Sequence, residues 1–532
     1  MKKLVSLLSA LLLSANLLPV TSFAETKQMT LPGDVNTDGT VSVSDAVLLQ
    51  KWLLAVPDTA LSDGNAADVY ADGVIDIFDL AMLKQKLIAL PNTSAPPITA
   101  LHPTLPSIGN VRLLTFAVDF SDYPFEQEHI AEQLQQTCFG QENQSDSRYP
   151  KESISAYYER ASYGKLHLDG DVFRYTAQHP IEYYYAHNSR PLVEELMDAF
   201  DEQIDFHDYD ANGDAILDAM MIVLPETVLE IDNDVDHVPD WWYFSSRYVS
   251  DHANDGIRAG SYCVGVYPAD DPAGFNQKLA HELAHAMELP DYYRYTQEDS
   301  GESDGLTGSA GYELMDEGNG DLSAFSKLLL GWIPDDAVQV YTGGTQSFSL
   351  TSMQQTPTCI LIPRHAEEGY FSEYFLIEYV TGEGNNAACF ISGNRSQLFP
   401  LGGGIRILHC QAELSEAPYG TEFKYNINST HYDKSDTKQR VLRLVNDYGM
   451  FYPGKRGVHF NDQIDGNTEG FHWYDADGGL TVDTGLTIHI GNVQPGPDYE
   501  PDWASAGSSS DGSNDPSFVH GSTYHITISQ SE

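Results

Sequence analysis

The chain is short of positive charge. Its 532 residues carry 28 lysines and arginines against 78 aspartates and glutamates, a formal net charge of −50. Phosphate neutralisation therefore cannot hold it on nucleic acid, and anionic lipid surfaces repel it. The surplus acids are instead candidate ligands for hard cations such as calcium. Cysteine is also scarce. The five present are Cys138, Cys263, Cys359, Cys389 and Cys410, none in a CxxC spacing. No disulfide framework can be read from them, and the odd count leaves at least one unpaired within the chain. Long apolar runs are confined to the N-terminus. There Lys2 and Lys3 precede "LVSLLSALLLSANLLPV", and a small-residue cleavage site ends at Ala24. This is the pattern of a cleaved export signal over residues 1–24. No later run is long and apolar enough to span a bilayer. The expectation is a secreted chain with no membrane span and no nucleic-acid partner.

What is present is enough length for about three or four domains, with aromatics plentiful enough to fold most of it. Residues 33–90 contain a repeat. "GDVNTDGTVSVSDAVLLQKWLLA" is followed 34 residues on by "ADVYADGVIDIFDLAMLKQKLIA". Each copy is an acidic 12-residue loop and one apolar-periodic helix. In the first loop Asp34, Asn36 and Asp38 take positions 1, 3 and 5, Thr40 offers its carbonyl, Ser42 takes position 9 and Asp45 closes the loop. The second offers Asp68, Asp72, the Val74 carbonyl, Asp76 and Asp79, with Tyr70 where an oxygen donor is expected. Alternating oxygens around a sharp turn at Gly39 or Gly73 are what calcium requires. One or two calcium ions are therefore expected.

An ordinary EF-hand has a helix on each side of its loop. Here each loop has only the following helix, and the duplicated unit over residues 31–90 resembles a type I dockerin. That resemblance implies a small all-α calcium-binding domain. It also implies docking to a cohesin domain of a scaffoldin, as in the polysaccharide-degrading complexes called cellulosomes. The implied recognition positions are Val43, Ser44, Ile77, Phe78 and the neighbourhood of Lys51 and Lys84. Ile77 and Phe78 are more apolar than the common Ser/Thr pair. After it, residues 91–107 read as an extended Pro/Ser/Thr linker.

From residue 108 the pattern is mixed α/β. It leads to "PAGFNQKLAHELAHAMELPDYY". His281 and His285 lie four apart, on one helix face, so both imidazoles can address one metal. Glu282 lies beside them. HExxH is the zinc-peptidase arrangement of two ligands and a general base. A catalytic zinc takes three protein ligands, yet no third histidine follows. Asp291, six residues after His285, is the next good candidate, and a carboxylate oxygen suits zinc. Further on, "GYELMDEGNG" places Met315 where a Met-turn beneath the metal is expected.

These stretches, with "SAFSKLLLGWI", "VDFSDYPF", "SAYYERASYGKLHLDGDV", "YDANGDAILDAMMIV" and "WYDADGGLTV", resemble the immune inhibitor A family of secreted zinc metalloproteases. The resemblance runs over most of residues 110–490. It implies a zincin-like catalytic domain over 108–335, one catalytic zinc, and a protein or peptide substrate. The family's zinc stretch has glycine three residues after the second histidine, where this chain has Glu288. Either Glu288 adopts positive φ, at about 1–2 kcal/mol, or the helix runs on and the turn differs. No tyrosine follows Met315, which leaves Tyr292 or Tyr293 for oxyanion support or for packing.

"DYDANGDAILDA" is a further calcium candidate through Asp208, Asp210, Asn212, Asp214 and Asp218, although it has no acid at position 12. Residues 336–532 read as a β-rich C-terminal part, from short alternating runs between Gly, Asn and Asp turns. The whole is read as a multidomain, secreted zinc endopeptidase carried by its dockerin. Two rivals stand beside it: a non-catalytic binding protein of the same fold, and a carbohydrate-active module with facing carboxylates.

Overall fold

The computed structural model describes residues 95–530 apart from 188, 232–240, 242, 294–312, 317, 319, 366–367, 391–403, 418–419, 430–438, 446–462, 469 and 492–522, together with parts of 33–83. The expected export signal lies outside the described residues. The chain divides into two compact units between Ser94 and Ala95.

The first unit is built on the repeat. Helix α1 (Val43–Leu53) follows the first loop, and Gly64–Ala67 is a single helical turn. Ile77, Asp79, Leu80 and Leu83 are helical in the second copy. Val35, Ala46, Leu49, Ala67, Leu80 and Leu83 share one small core. The start of the first loop is tied to the segment between the copies by backbone bonds from Gly33 N to the Ala66 carbonyl at 2.8 Å and from Ser62 N to the Val35 carbonyl at 3.1 Å.

The second unit begins earlier than composition implies. Residues 91–107 were expected to form a linker, but Pro97–Leu101 is a 3-10 turn, and Ile98, Leu101 and Leu105 are fully buried in the main core. Leu105 N donates to the Ala286 carbonyl at 3.1 Å. The Trp332 indole donates to the Ser107 carbonyl at 2.7 Å. Gly331, at φ +73°, lets this strap approach: a Cβ there would lie 3.0 Å from Pro96. Three spaced apolar residues outweigh the Pro/Ser/Thr background, because each buries its side chain.

A five-stranded sheet follows. Its strands are β1 (Gly109–Asp119), β2 (Leu166–Thr176), β3 (Met220–Pro225), β4 (Phe244–Ser246) and β5 (Tyr262–Tyr267), in the order β2-β1-β3-β5-β4. All pairings are parallel except β4 with β5, which leaves β4 as an antiparallel edge. β3 and β5 are buried at every position, as central parallel strands must be. Helices α2 (Ile130–Phe139), α3 (Ile154–Ala161), α4 (Arg190–Phe200) and α5 (Pro272–Ala286) pack around it. Helix α5 starts where Asp271 caps Gly274 N at 2.9 Å and Pro272 takes the first turn. It buries Phe275, Leu279, Leu283 and Ala286 against the sheet.

The β-rich part is not a separate body. Strands β6 (Val338–Val340), β7 (Gln346–Leu350), β8 (Cys359–Pro363), β9 (Glu373–Val380) and β10 (Gly404–Gln411) include a central layer with two buried faces. Leu361, Tyr374, Leu376 and Leu408 point into the core shared with α5 and with helix α6 (Ala324–Leu329), while Ile360, Phe375, Ile377 and Ile407 face a second core. That alternation is the period-2 pattern of a strand. A boundary at residue 335 therefore cuts through one hydrophobic core.

Leu105→Ala is expected to destabilise the larger unit by about 2–4 kcal/mol, read as a lower denaturant midpoint. An unchanged midpoint would restore the linker.

Candidate metal centre

Helix α5 ends in a Schellman turn. Leu289 N donates to the Ala284 carbonyl at 3.2 Å and Glu288 N to the His285 carbonyl at 2.9 Å. Glu288 occupies the left-handed position at φ +67°. Of the two alternatives open for this residue, the structure takes the first: the turn keeps its shape without glycine, against a cost of roughly 1 kcal/mol or more. The Glu288 carboxylate meets the Arg247 guanidinium, Nε to Oε1 at 3.1 Å and a terminal nitrogen to Oε2 at 3.4 Å. Burial pushes Glu288 up to about 7 and Arg247 works against that rise.

The turn sends the chain back across the helix, so that Asp291 faces both histidines. Its Oδ1 lies 2.9 Å from His281 Nε2 and 3.6 Å from His285 Nε2. The two imidazole rings stand 5.0 Å apart and nearly perpendicular. Among the described residues, only His281, His285 and Asp291 bring three such ligand atoms within 4.8 Å of one another.

The tautomers favour a metal. His281 Nδ1 donates to the Leu314 carbonyl at 2.8 Å, and His285 Nδ1 to the Leu289 carbonyl at 2.7 Å. With both Nδ1 atoms engaged, the Nε2 lone pairs turn to the shared point, the usual outer-shell arrangement of histidine ligands. Burial disfavours a charged His281, but Asp291 outweighs it and lifts the ring to about 9. Burial holds His285 below its ordinary range. The carboxylate that draws a proton to His281 would equally draw a cation. Two imidazole nitrogens and one carboxylate oxygen are a donor set that fits zinc.

Glu282 sits on the same helix, half-buried, and its carboxylate accepts no hydrogen bond from the described residues. Burial raises it to about 7, with His281 opposing and Asp291 adding. Met315 is fully buried in the 3-10 turn Leu314–Asp316. That turn supplies the carbonyl holding His281, and the Met315 carbonyl accepts from Tyr292 N at 2.9 Å. Tyr292 is buried with its hydroxyl on Ser326 Oγ at 2.9 Å, a packing role. The Tyr293 ring centre lies 6.3 Å from that of His281.

The sequence did not single out what braces this arrangement. Ser326 Oγ donates to Glu313 Oε1 at 2.6 Å, so Tyr292 donates to Ser326 in turn. This Glu313–Ser326–Tyr292 chain ties the segment after Asp291 to the Met315 turn and to α6. From the β-rich half, Asn428 donates to the Tyr293 carbonyl at 2.7 Å.

In the first unit, Asp34, Asp38, Thr40, Ser42 and Asp72 lie outside the described residues. Of the other expected calcium ligands, Asp45 and Asp79 are fully buried and accept Asn36 N at 2.9 Å and Asp76 N at 2.7 Å. Asp68 and Val74 stand at the second loop. Ile77 is 63% exposed.

In the loop at 208–218, Gly213 stands at φ +74° and takes position 6 when the count starts at Asp208. Asp208 turns away, 3.7 Å from Arg112. Asp210, Asn212 and Asp214 instead accept backbone N–H groups of their own loop, and Ala215 takes φ +64°. Counting from Asp210, Ala215 falls at position 6, where an EF-hand loop turns, and Asp218 at position 9. Asp218 is fully buried. Its Oδ2 accepts Ala211 N at 3.0 Å, while its Oδ1 has no partner among the described residues. Burial pushes it to about 8.

Glu313 generates a pH prediction. Burial raises it from 4.5 to about 7. Between those values the folded chain holds a proton that the unfolded chain has lost. Its contribution is therefore complete below about pH 4.5 and is lost as pH rises towards 7, by up to ~3 kcal/mol. Glu313→Gln is expected to make the fall of the melting temperature between about pH 5 and pH 8 shallower, leaving the share that Glu282, Glu288 and Asp218 contribute. A slope equal to the wild type would contradict this.

Comparison with known proteins bears on the first unit. Residues 32–88 match the family model of the dockerin type I domain. Among solved structures, a chain from a type I cohesin–dockerin complex of Clostridium thermocellum is 35% identical, covering 12% of this chain and 97% of that one. Its TM-score of 0.11 gives that likeness no structural weight. A search of curated proteins finds no match. Among the described residues, no helix is long and apolar enough to cross a membrane. Type I dockerins bind calcium and dock onto cohesins. Residues 32–88 thus make this a chain with a dockerin type I domain, which implies anchoring to a cohesin-bearing complex of the cellulosome kind.

Proposed function

We propose that the larger unit is a zinc endopeptidase, exported and delivered to its complex by the dockerin. The observation that carries this reading is the convergence of His281 Nε2, His285 Nε2 and Asp291 Oδ1 on one point beside Glu282. His281, His285 and Asp291 would hold the metal. A bound zinc ion would supply Lewis-acid polarisation of the scissile carbonyl and acidify water. Glu282, raised by burial to about 7, accepts a proton from the attacking water and returns it to the leaving amine. The edge strand β4 lies on β5, against which α5 packs, and offers an extended peptide an antiparallel partner. In the wild type we expect one tightly held zinc and hydrolysis of casein. Glu282→Ala should retain the zinc and lose activity by at least about a hundredfold. Zinc bound with no cleavage by either protein would favour the non-catalytic binder. Absence of zinc in both would end the metal reading.

The dockerin loops hold calcium through Asp34, Asn36, Asp38, the Thr40 carbonyl, Ser42 and Asp45, and through Asp68, Asp72, the Val74 carbonyl, Asp76 and Asp79. Exposed Ile77, with Ser44 and Lys51, belongs to the cohesin-facing surface. Asp210, Asn212, Asp214 and Asp218 form a separate calcium loop in the larger unit, supported by the buried Asp218 Oδ1. Calcium chelation is therefore expected to abolish capture by a panel of type I cohesins. Ile77→Asp should weaken capture by more than tenfold with calcium present. Capture that survives both changes would remove the docking role from this surface.

A further inference from the structure

We infer that Arg247 is a positioning residue for the metal centre, clamping Glu288 in the left-handed turn that aims Asp291 at His281 and His285. The inference rests on the zinc reading above and deepens it. Glu288 stands at φ +67°, where side chains other than glycine are strained. Glycine would hold this position without help. Glutamate needs a compensating contact, and the structure supplies one. Arg247 follows directly on edge strand β4, and its guanidinium engages both Glu288 oxygens, at 3.1 and 3.4 Å. The same side chain donates to the Leu101 carbonyl of the strap at 3.3 Å. On its other side lies Gly420, where a Cβ would stand 3.6 Å from a guanidinium nitrogen.

Two segments distant in sequence, the strap and the turn, therefore hold one planar group, on a side chain that is itself 42% exposed. A planar fork held this way is far less free than a lone ion pair at the surface. The Glu288 side chain is only 16% exposed, so removing Arg247 would leave a poorly solvated carboxylate three residues before Asp291. The turn would then gain by swinging Glu288 out to water, and Asp291 would move with it. Because Arg247 adjoins β4, the clamp also couples the proposed peptide-binding edge to the metal ligands.

The clamp makes a prediction that an ordinary stabilising ion pair does not. Zinc affinity would be measured by chelator competition for the full chain and for Arg247→Ala, Arg247→Lys, Glu288→Gly and the Arg247→Ala/Glu288→Gly double variant. Melting temperatures would be recorded on the zinc-stripped proteins. Arg247→Ala is expected to weaken zinc about tenfold, and Arg247→Lys to recover only part of that. Glu288→Gly should stay within about twofold of wild type. In the double variant, the loss caused by Arg247→Ala should vanish, and the melting temperatures should show the same dependence. Equal zinc affinity for Arg247→Ala and wild type would overturn the proposal. So would a double variant as weak as Arg247→Ala alone, because Arg247 would then act through the strap and not through Glu288. If the wild type binds no zinc, the zinc reading and the role towards metal fall together. Melting temperatures that still show the dependence would then retain the clamp as a fold element only.

Discussion

Two hydrogen bonds from imidazole to backbone set the character of the larger unit. His281 Nδ1 gives its proton to the Leu314 carbonyl and His285 Nδ1 to the Leu289 carbonyl. Without them each ring would be free to turn or to change tautomer, and two histidines one helical turn apart would be a coincidence of spacing. With them both Nε2 atoms are committed to one point. Each carbonyl comes from a different device. Leu289 belongs to the Schellman turn that ends α5. Leu314 belongs to the tight turn around Met315. The convergence of the two Nε2 atoms is thus as well defined as those two turns, and much of the nearby structure braces them.

The bracing is layered. Helix α5 is anchored on the sheet by Phe275, Leu279 and Leu283. Its C-terminal end is closed by Leu105 from the strap and by Arg247 on Glu288. The Met315 turn is held through Tyr292, Ser326 and Glu313, all buried. Asn428 reaches in from the β-rich half to the carbonyl next to Tyr292. Burying Glu313 beside this network opposes its ionisation and costs stability as pH rises, a local expense of fixing the turn in a dry environment.

How much of this the sequence disclosed depends on the kind of signal. HExxH was legible because helical periodicity alone puts His281 and His285 on one face. Asp291 was legible by offset, though not the turn that delivers it, since Glu288 is an uncommon residue for positive φ. The repeat at residues 33–90 was legible because its oxygen donors recur in register. The carbonyl partners of the histidines were not, because backbone atoms carry no residue signature. Arg247 and Asn428 were also invisible, being brought in by tertiary contacts from far along the chain. The strap was misread because composition weighs prolines and serines, whereas packing is decided by Ile98, Leu101 and Leu105. The loop at 208–218 was legible only as an acidic run, because it admits two registers: Gly213 takes position 6 counted from Asp208 and Ala215 takes it counted from Asp210, and both stand at positive φ.

Two imidazoles and one carboxylate are proposed to hold a zinc ion. X-ray absorption at the zinc edge, on the full chain loaded with one equivalent, tests this most directly when wild type is compared with Asp291→Ala. The wild type is expected to show two imidazole ligands with oxygen neighbours at about 2.0–2.2 Å, and the variant to lose the carboxylate contribution. A third imidazole, a sulfur neighbour, or identical spectra for the two proteins would contradict it.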